Sequence, residues 1–292
     1  MRIGVLLLPT DPWPETVAFV QRLDRLGYHH VWTYDHLSWQ RYADRPWHAT
    51  YPWLAGVAAA TTRIRIGTMV SNLNIRHPLA LAKDAATIDH ISAGRMTVGL
   101  GAAGTGYDAT VLGQGQLTAG QRVDRLREAA ALIDGLLRGQ IRDHSGEYYQ
   151  VNGAQGMPQC VQRPRLPLAI AAGGDRALRV VAAFGDAWIT YGDTTKTDLS
   201  IEGTERIVAS QRDRLDSHMS SLGRNPNEID RIYLIGNTEA RPLSSADAFQ
   251  DFAGRYAELG FTDLVFHMPR TDDPVWNEPV EIVELVAEAM LG

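Results

Sequence analysis

The stretch 62–107 constrains the fold of this chain more than any other part of it. Alternating β-branched residues at 64–70, stopped by polar residues, predict a short buried strand. Apolar residues then recur at helical spacing from Pro78 until Gly94 ends the run, and a second strand follows at 96–100. Strand, helix and strand in this order form a βαβ unit, which implies a right-handed crossover and a parallel sheet.

The same alternation of strand and helix runs along the whole chain. Strands are predicted at 2–8, 30–34, 64–70, 96–100, 168–171, 187–190, 231–235 and 263–266, and helices at 15–26, 51–60, 78–91, 119–137, 176–184, 202–222, 245–259 and 275–290. Eight such pairs close a parallel barrel, so we expect an α/β fold, a (β/α)8 TIM barrel, in one domain over 1–292. A doubly wound open sheet is the weaker alternative.

One segment, at about 140–165, interrupts this alternation. It is rich in Gly, Gln and Pro, and Tyr148-Tyr149 predicts a short hairpin within it. We interpret the segment as an insertion between the fourth and fifth strand–helix units of the barrel.

Composition and charge limit the classes of partner. With 45% hydrophobic residues, 21% charged residues and a net charge of -6, the chain lacks the basic character that nucleic acid or an anionic membrane would need. Cys160 is the only cysteine, so no intrachain disulfide can form and a reducing compartment is expected. Neither a signal segment nor a long apolar stretch is present, so we expect a cytoplasmic protein with a small-molecule partner.

In parallel barrels the functional residues lie in the loops after the strands, which narrows the search for chemistry. Asp35-His36 follows the second strand, and Trp39 and Trp47 come soon after. A histidine can give or take a proton near neutral pH, and a neighbouring carboxylate can orient its ring. The alternative is a surface Asp-His dipeptide with aromatic packing around it.

Three further loops follow predicted strands. Ser71 and Asn72 offer polar groups after the third strand, whereas Arg76 and His77 are interpreted as helix-entry and packing residues. The glycine-rich loop 101–106 would let a flat ring or a phosphate approach the backbone, although its glycine spacing is not that of a dinucleotide fingerprint. After the fifth strand, glycines precede a helix, and free amides at a helix N-terminus bind anions such as phosphate. The residues concerned are Gly173 and Gly174, then Asp175 as the predicted N-cap, with Arg176 or Arg179 to balance its charge.

No metal site is predicted. The histidines are scattered, and His29-His30 are adjacent in a predicted strand, so the two rings should point to opposite faces. No nucleophile motif is present either, and Cys160 has no clear catalytic partner. Cofactor chemistry at the mouth of the barrel is the remaining option.

Several motifs of the chain occur in an order typical of a known family. They are Leu26-Gly27-Tyr28 before Asp35-His36, the run TRIRIGT at 62–68, Arg76-His77-Pro78, Ser92-Ala93-Gly94-Arg95, and Gly173-Gly174 with Phe184-Gly185-Asp186-Ala187-Trp188. Together they resemble the bacterial luciferase-like superfamily of (β/α)8 flavin and deazaflavin oxidoreductases. The Asp-His pair is similar to the branch that uses coenzyme F420, a deazaflavin that carries hydride at ring carbon C5.

The resemblance implies roles for particular residues. Asp35 would contact the ring system, and His36 would stand near C5 as the proton-transfer residue. Met69-Val70 matches a non-prolyl cis peptide that presses on the far face of the ring. The remaining cofactor contacts implied are Asn72, Ala102 and Ala103 along the ring and its side chain, and Gly173, Gly174, Arg176 and Ala177 at the phosphate.

Departures from the branch bear on the substrate. Gly104 stands where sugar-phosphate dehydrogenases of the branch have a glutamate, and their basic residues have no clear counterpart around Tyr191 and Thr194. A phosphorylated sugar is therefore not expected. We expect a less polar compound bounded by the side chains Trp39, Trp47, Tyr107 and Tyr191.

The function expected from the resemblance is hydride transfer between the deazaflavin and a C=C, C=N or C=O bond of a small substrate, or the reverse. His36 or a bound water would supply the proton. The first alternative is an FMN-dependent monooxygenase, and the second is a flavin-binding barrel without catalysis. Members of the family are often dimers, so a homodimer is expected.

Overall fold

The computed structural model describes residues 1–39, 42–193, 200–236, 240–270 and 272–292 of the chain. Its strands are β1 (Arg2–Leu6), β2 (His30–Thr33), β3 (Arg65–Thr68), β4 (Met96–Leu100), β5 (His144–Ser145), β6 (Gln150–Val151), β7 (Leu168–Ala171), β8 (Ala187–Thr190), β9 (Asp230–Leu234) and β10 (Asp263–His267). Its α-helices are α1 (Trp13–Leu26), α2 (Thr50–Ala60), α3 (Pro78–Ile91), α4 (Ala119–Leu137), α5 (Asp175–Phe184), α6 (Ile201–Ser221), α7 (Ala246–Glu258) and α8 (Ile282–Met290).

Eight of the strands close into a barrel in the order β1-β10-β9-β8-β7-β4-β3-β2. Neighbouring strands are parallel throughout, from the β1–β2 pair to the β1–β10 pair that closes the ring. The predicted (β/α)8 barrel is thereby confirmed. All eight carboxyl ends meet at one end of the cylinder, which is where a functional site is expected in this architecture.

Two apolar clusters hold the barrel together. The larger lies between the strands and the surrounding helices, and the smaller fills the inside of the barrel. Trp32 is the largest side chain of the inner cluster and is 1% exposed. Gly4 and Gly67 face it, and a Cβ at Gly67 would lie 2.5 Å from the Trp32 ring, so the neighbouring strands carry glycine where the indole fills the space.

The segment between α4 and β7 contains the predicted hairpin, formed by antiparallel pairing of β5 with β6 around the turn that holds Tyr148 and Tyr149. The interpretation of 140–165 as an insertion stays a prediction. None of the described helices combines the length and apolarity needed to cross a bilayer.

The prediction of a helix at 275–290 is wrong for residues 275–281, because α8 begins only at Ile282. The carboxylate of Asp273 accepts hydrogen bonds from the backbone N–H of Val275 (2.9 Å) and of Trp276 (3.2 Å). These bonds fix a loop conformation after β10, because the side chain satisfies backbone donors that a helix would leave free. The first strand is also shorter than predicted and ends at Leu6.

Candidate active site

The loops after β2, β3 and β4 come together at the carboxyl end of the barrel. His36 lies in the first loop, Asn72 in the second, and Asp108 in a short 3₁₀ helix (Tyr107–Ala109) after the third. Hydrogen bonds join all three side chains. This arrangement places the predicted catalytic pair at the predicted end of the barrel.

His36 is held by a carboxylate that the sequence did not suggest. Its Nδ1 lies 2.6 Å from Asp108 Oδ2, and the same oxygen accepts a 2.8 Å hydrogen bond from the side-chain amide of Asn72. Asp108 Oδ1 accepts the backbone N–H of Leu37 at 3.0 Å. Because Asp108 acts as an acceptor throughout, Nδ1 of His36 donates the proton in this bond. Nε2 then carries the lone pair, and no described residue bonds to it.

Asp35 is bound to protein groups through both of its oxygens. Arg76 donates to it in a bidentate pair at 2.6 and 2.8 Å, and the backbone N–H of Asn72 donates at 3.0 Å. Asp35 is 1% exposed, and the Arg76 guanidinium lies over the Tyr51 ring, 4.4 Å from its centroid. Arg76, interpreted from the sequence as a helix-entry residue, therefore ties the end of β2 to the loop after β3. The predicted contact between Asp35 and a cofactor ring stays a prediction.

His77 lies at the entry of a helix, as the sequence predicted. It is the N-cap of α3, and its side chain accepts a hydrogen bond from the backbone N–H of Leu79. The predicted cis peptide is present between Met69 and Val70. Met69 belongs to the inner cluster of the barrel, and Val70 packs against it. A Cβ at Gly101 would lie 2.6 Å from Val70, so the start of the glycine-rich loop is shaped to this turn.

Aromatic rings surround His36 on the β2 side. The ring centroids of Tyr34, Trp39 and Trp47 lie 6.0, 6.4 and 5.9 Å from that of His36. Tyr107 and Tyr191 are 58% and 48% exposed, so they belong to the outer rim of the mouth. Of the four side chains predicted to border the substrate, the two tryptophans therefore lie beside His36, and the two tyrosines lie at the edge of the mouth. Thr194 lies outside the described residues.

A second histidine lies at the same end of the barrel and was missed from the sequence. His267, the last residue of β10, accepts or donates a 3.1 Å hydrogen bond through Nε2 with the Tyr34 hydroxyl, and its ring stacks on Trp276 at 3.8 Å. Burial lowers the pKa of His267 to about 3, so the ring is neutral at physiological pH. The sequence held one signal for this position. His267 lies two residues after Val265 in β10, and residues two apart in a strand point to the same face, here the inside of the barrel.

The first residues after β4 and after β7 are small. Ala102 and Ala103 follow β4, and Ala103 has a left-handed backbone (φ 59). Gly173 and Gly174 follow β7, and a Cβ at Gly104 or Gly174 would approach nothing closer than 4.0 Å. Small residues at these positions would let a planar ring system approach the backbone.

The start of α5 differs in detail from the prediction. Gly174, not Asp175, is the N-cap, and Asp175 is the first helical residue, paired with Arg179 (3.1 Å) and His218 (2.7 Å). Arg176 is 59% exposed and paired with Asp124 at 2.7 Å, while Ala177 is buried. The assignment of a phosphate to Gly173, Gly174, Arg176 and Ala177 stays a prediction.

The rings of His29 and His30 do not point to opposite faces, so this prediction is wrong. Their Nδ1 atoms lie 2.8 Å from each other at the amino end of β2, and a ligand atom of Asp263 is within 4.8 Å of both. The reason is that His29 precedes the strand, so strand alternation does not apply to it. Arg2 takes both oxygens of Asp263, at 2.8 and 2.5 Å, which supplies the counter-charge that a metal would supply. The prediction of no metal site stays a prediction.

The sequence is similar to those of known flavin-dependent and F420-dependent proteins. Residues 1–234 match the family model of the luciferase-like monooxygenases. The F420-dependent glucose-6-phosphate dehydrogenase of Beutenbergia cavernae is 27% identical over 307 aligned positions, 90% of this chain and 90% of that protein. The oxygenase component of the flavin-dependent trigonelline monooxygenase of Acinetobacter baylyi is 35% identical over 164 positions, 55% of this chain and 43% of that protein.

Among solved structures, an F420-dependent secondary alcohol dehydrogenase in complex with an F420-acetone adduct shares the fold, with a TM-score of 0.81 at 15% identity over 99% of this chain and 98% of that chain. The family match covers most of the sequence and includes β1 to β9, with every loop that contributes to the His36 cluster. The chain is therefore an enzyme of the luciferase-like monooxygenase family.

Proposed function

We propose that the protein is a coenzyme F420-dependent oxidoreductase that transfers hydride between the deazaflavin C5 and a C=C, C=N or C=O bond of a small organic substrate, or in the reverse direction. The observation that supports this most is the His36–Asp108 pair at 2.6 Å, at the carboxyl end of the barrel, with Nε2 of His36 left without a described partner. The F420-dependent relatives support the choice of coenzyme.

When bound, the coenzyme supplies or accepts the hydride. His36 handles the accompanying proton at Nε2: the lone pair of Nε2 takes the hydroxyl proton when an alcohol is oxidised, and Nε2, once it has taken up a proton from solvent, gives that proton to the oxygen when a carbonyl is reduced. Asp108 holds the imidazole with Nδ1–H directed at the carboxylate, so the working nitrogen is always Nε2. Trp39 and Trp47 keep water away from the apolar part of the substrate.

The residues proposed to hold the coenzyme follow β3, β4 and β7, at the carboxyl end of the barrel. Met69, Val70, Asn72, Ala102 and Ala103 would hold the ring system. Gly173, Gly174, Arg176 and Ala177 would hold the phosphate. Asp35 acts mainly as a positioning residue in this proposal, because Arg76 and the Asn72 backbone already engage its oxygens.

For the substrate, we propose a compound less polar than a sugar phosphate. The supporting observations are Gly104 in place of an acidic side chain and the ring cluster of Tyr34, Trp39 and Trp47 beside His36. Apolar rings favour a substrate that buries hydrocarbon or aromatic surface against them. Tyr107 and Tyr191 would contact the part of the substrate that reaches the rim.

An FMN-dependent monooxygenase is the second candidate, favoured by the flavin-dependent relative from Acinetobacter baylyi. The two functions differ in their need for oxygen. Purified protein with reduced F420 should convert members of a panel of ketones, enones and imines under strictly anaerobic conditions. Turnover that requires oxygen together with reduced FMN would instead establish the monooxygenase and reject the F420 assignment.

A further inference from the structure

The loop after β2 and the loop after β10 are joined by buried side chains at the carboxyl end of the barrel. The hydroxyl of Tyr42 donates a 2.7 Å hydrogen bond to Oδ2 of Asp273, and Nε of Arg270 donates a 3.0 Å hydrogen bond to the oxygen of the same hydroxyl. Arg270 also donates from Nη2 to Oδ2 of Asp273 at 2.8 Å. We call Tyr42, Arg270 and Asp273 the Tyr42 network.

Burial and charge make this network a fixed unit. Tyr42 is 3% exposed and Asp273 is 2% exposed. Burial alone would raise the pKa of Asp273, but the hydrogen bonds from Arg270 and Tyr42 hold it well below its usual value. Burial and the bond to Asp273 raise the pKa of Tyr42, so the phenol keeps its proton and donates it to the carboxylate. Buried polar groups that satisfy one another in this way hold their side chains in one arrangement.

On the β10 side, the network belongs to a loop that is held at several points. Arg270 donates from Nη1 to the carbonyl oxygen of Met268 at 2.9 Å, and its backbone N–H donates to the carbonyl oxygen of Trp276 at 2.7 Å. The Arg270 guanidinium lies 5.6 Å from the centroid of the Trp276 ring, which stacks on His267 at the end of β10. The loop after β10 therefore gives Tyr42 a rigid support.

On the β2 side, Tyr42 contacts Trp39. The two rings are nearly parallel, with an angle of 5° between their planes and 5.6 Å between their centroids. The backbone N–H of Tyr42 also donates to the carbonyl oxygen of Trp39 at 2.8 Å. The Trp39 ring is in turn close to parallel with the His36 ring, at an angle of 21°. Direct contacts thus run from the loop after β10 through Tyr42 and Trp39 to His36.

We propose that the Tyr42 network positions the Trp39 ring beside His36 and, resting on the function proposed above, that it thereby sets the affinity of the enzyme for its substrate. An indole can rotate about its side-chain bonds, and a substrate that had to order the ring on binding would bind more weakly. The stacked Tyr42 ring removes this cost because it holds the indole before the substrate arrives. Tyr42, Arg270 and Asp273 are positioning residues, since they act through Trp39.

Fluorine NMR of protein labelled with fluorotryptophan tests the position of Trp39 without any ligand. The chain contains seven tryptophans, and a Trp39→Phe variant identifies the resonance of Trp39. Tyr42→Phe removes the hydroxyl that joins the two loops but keeps the ring, so it should shift or broaden the Trp39 resonance. A Trp39 resonance that is the same in Tyr42→Phe as in the wild type overturns the proposal.

Tyr28→Phe is the matched control for the loss of a buried tyrosine hydroxyl. Tyr28 is 2% exposed, and its hydroxyl donates a 2.7 Å hydrogen bond to the carbonyl oxygen of Val283. It precedes β2 and therefore lies at the amino end of the barrel, away from Trp39. Tyr28→Phe should leave both the Trp39 resonance and the KM of the substrate unchanged.

The kinetic test uses the member of the panel of ketones, enones and imines that the wild type converts best with reduced F420. Tyr42→Phe should raise KM about fivefold and change kcat less than about twofold, because it weakens a contact made in both the ground state and the transition state. Arg270→Lys weakens the same network from the loop after β10. The double variant should raise KM no more than the stronger single variant, since both changes break one unit.

Each result of the kinetic test decides for or against the network. An unchanged KM in Tyr42→Phe, a loss confined to kcat, or KM effects that multiply in the double variant would overturn the proposal. If the wild type converts no member of the panel, the proposed function fails, whereas the fluorine spectra still decide whether the Tyr42 network positions Trp39.

Discussion

At the scale of single residues, the hydrogen bond between His36 and Asp108 determines which imidazole nitrogen faces the mouth of the barrel. A histidine with a free ring could present either nitrogen to a ligand. The carboxylate at 2.6 Å removes this freedom, and the 2.8 Å bond from Asn72 prevents Asp108 from turning away. The position of Asp108 therefore explains why the proposed proton transfer uses Nε2.

The first prediction concerns this pair. Asp108→Asn places an amide where Nδ1–H of His36 and the Asn72 amide both donate, so the imidazole should shift its proton to Nε2. We expect kcat to fall by about 10²–10⁴-fold while the coenzyme Kd changes less than about threefold. Asp251→Asn, exposed on α7, is the control and should leave both constants unchanged.

The second prediction tests the proposed role of His36 in proton transfer. His36→Asn removes the proton-transfer group but keeps a polar side chain of similar size. We expect coenzyme binding to persist and turnover to fall by about 10²–10⁴-fold. Undiminished turnover in this variant would remove His36 from the mechanism.

The third prediction concerns His267 and acid stability. The unfolded chain takes up a proton on this residue near pH 6.5, whereas in the folded protein burial lowers the pKa of His267 to about 3. The unfolded state binds more protons between these values, so stability is complete above about pH 6.5 and falls as the pH decreases.

Because of His267, the free energy of unfolding of the wild type should be up to about 2 kcal/mol lower at pH 5 than at pH 7, at about 1.4 kcal/mol per pH unit. His267→Gln should abolish this part of the difference. The measurement is the urea midpoint at both pH values, with the difference compared between variants. Equal differences for wild type and His267→Gln would mean that the ring is not held neutral in the fold.

At the scale of the elements, the close approach of β3 and β4 shapes the floor of the site. Thr68 and Gly99 face each other so tightly that a Cβ at Gly99 would lie 1.8 Å from the Thr68 carbonyl oxygen. The Gly99 carbonyl also accepts the backbone N–H of Ser71 at 2.8 Å. Glycine is needed at position 99 because the two strand backbones approach each other too closely to leave room for a side chain.

The fourth prediction follows from this contact. Gly99→Ala should lower the free energy of unfolding by about 2–3 kcal/mol, because a strand must shift to admit the methyl group. Gly254→Ala is the opposite case, an exposed glycine inside α7 whose Cβ would meet nothing within 4 Å. It should stabilise the protein by about 0.5–1 kcal/mol. Chemical denaturation of both variants measures the two effects, and a Gly99→Ala protein as stable as the wild type would contradict the close strand packing.

Elements were easier to predict than the contacts between them. Alternating apolar residues located the eight barrel strands because the period of a buried strand is a local property. The start of α8 was missed because the Asp273 carboxylate, which fixes the preceding loop, leaves no periodic signal. Asp108 was missed for a related reason: its partner His36 is 72 residues away, and only the closed barrel brings the two loops together.

At the scale of the whole molecule, the two ends of the closed barrel differ: structural ion pairs lie at one end and the candidate active site at the other. The amino ends of the strands carry charge clusters such as Arg2 with Asp263, while the carboxyl ends carry His36, Asn72 and Asp108. Membership of the luciferase-like family agrees with this division, since barrels of this kind vary their chemistry through the loops. The expected homodimer stays a prediction.

An equilibrium titration of the purified protein with coenzyme F420 and, in parallel, with FMN tests the proposed function most directly. We expect saturable binding of F420 at one site per chain and an affinity for FMN at least about tenfold lower, a difference of about 1.4 kcal/mol. Tighter binding of FMN than of F420, or no binding of either, would contradict the central claim that this barrel is an F420-dependent oxidoreductase.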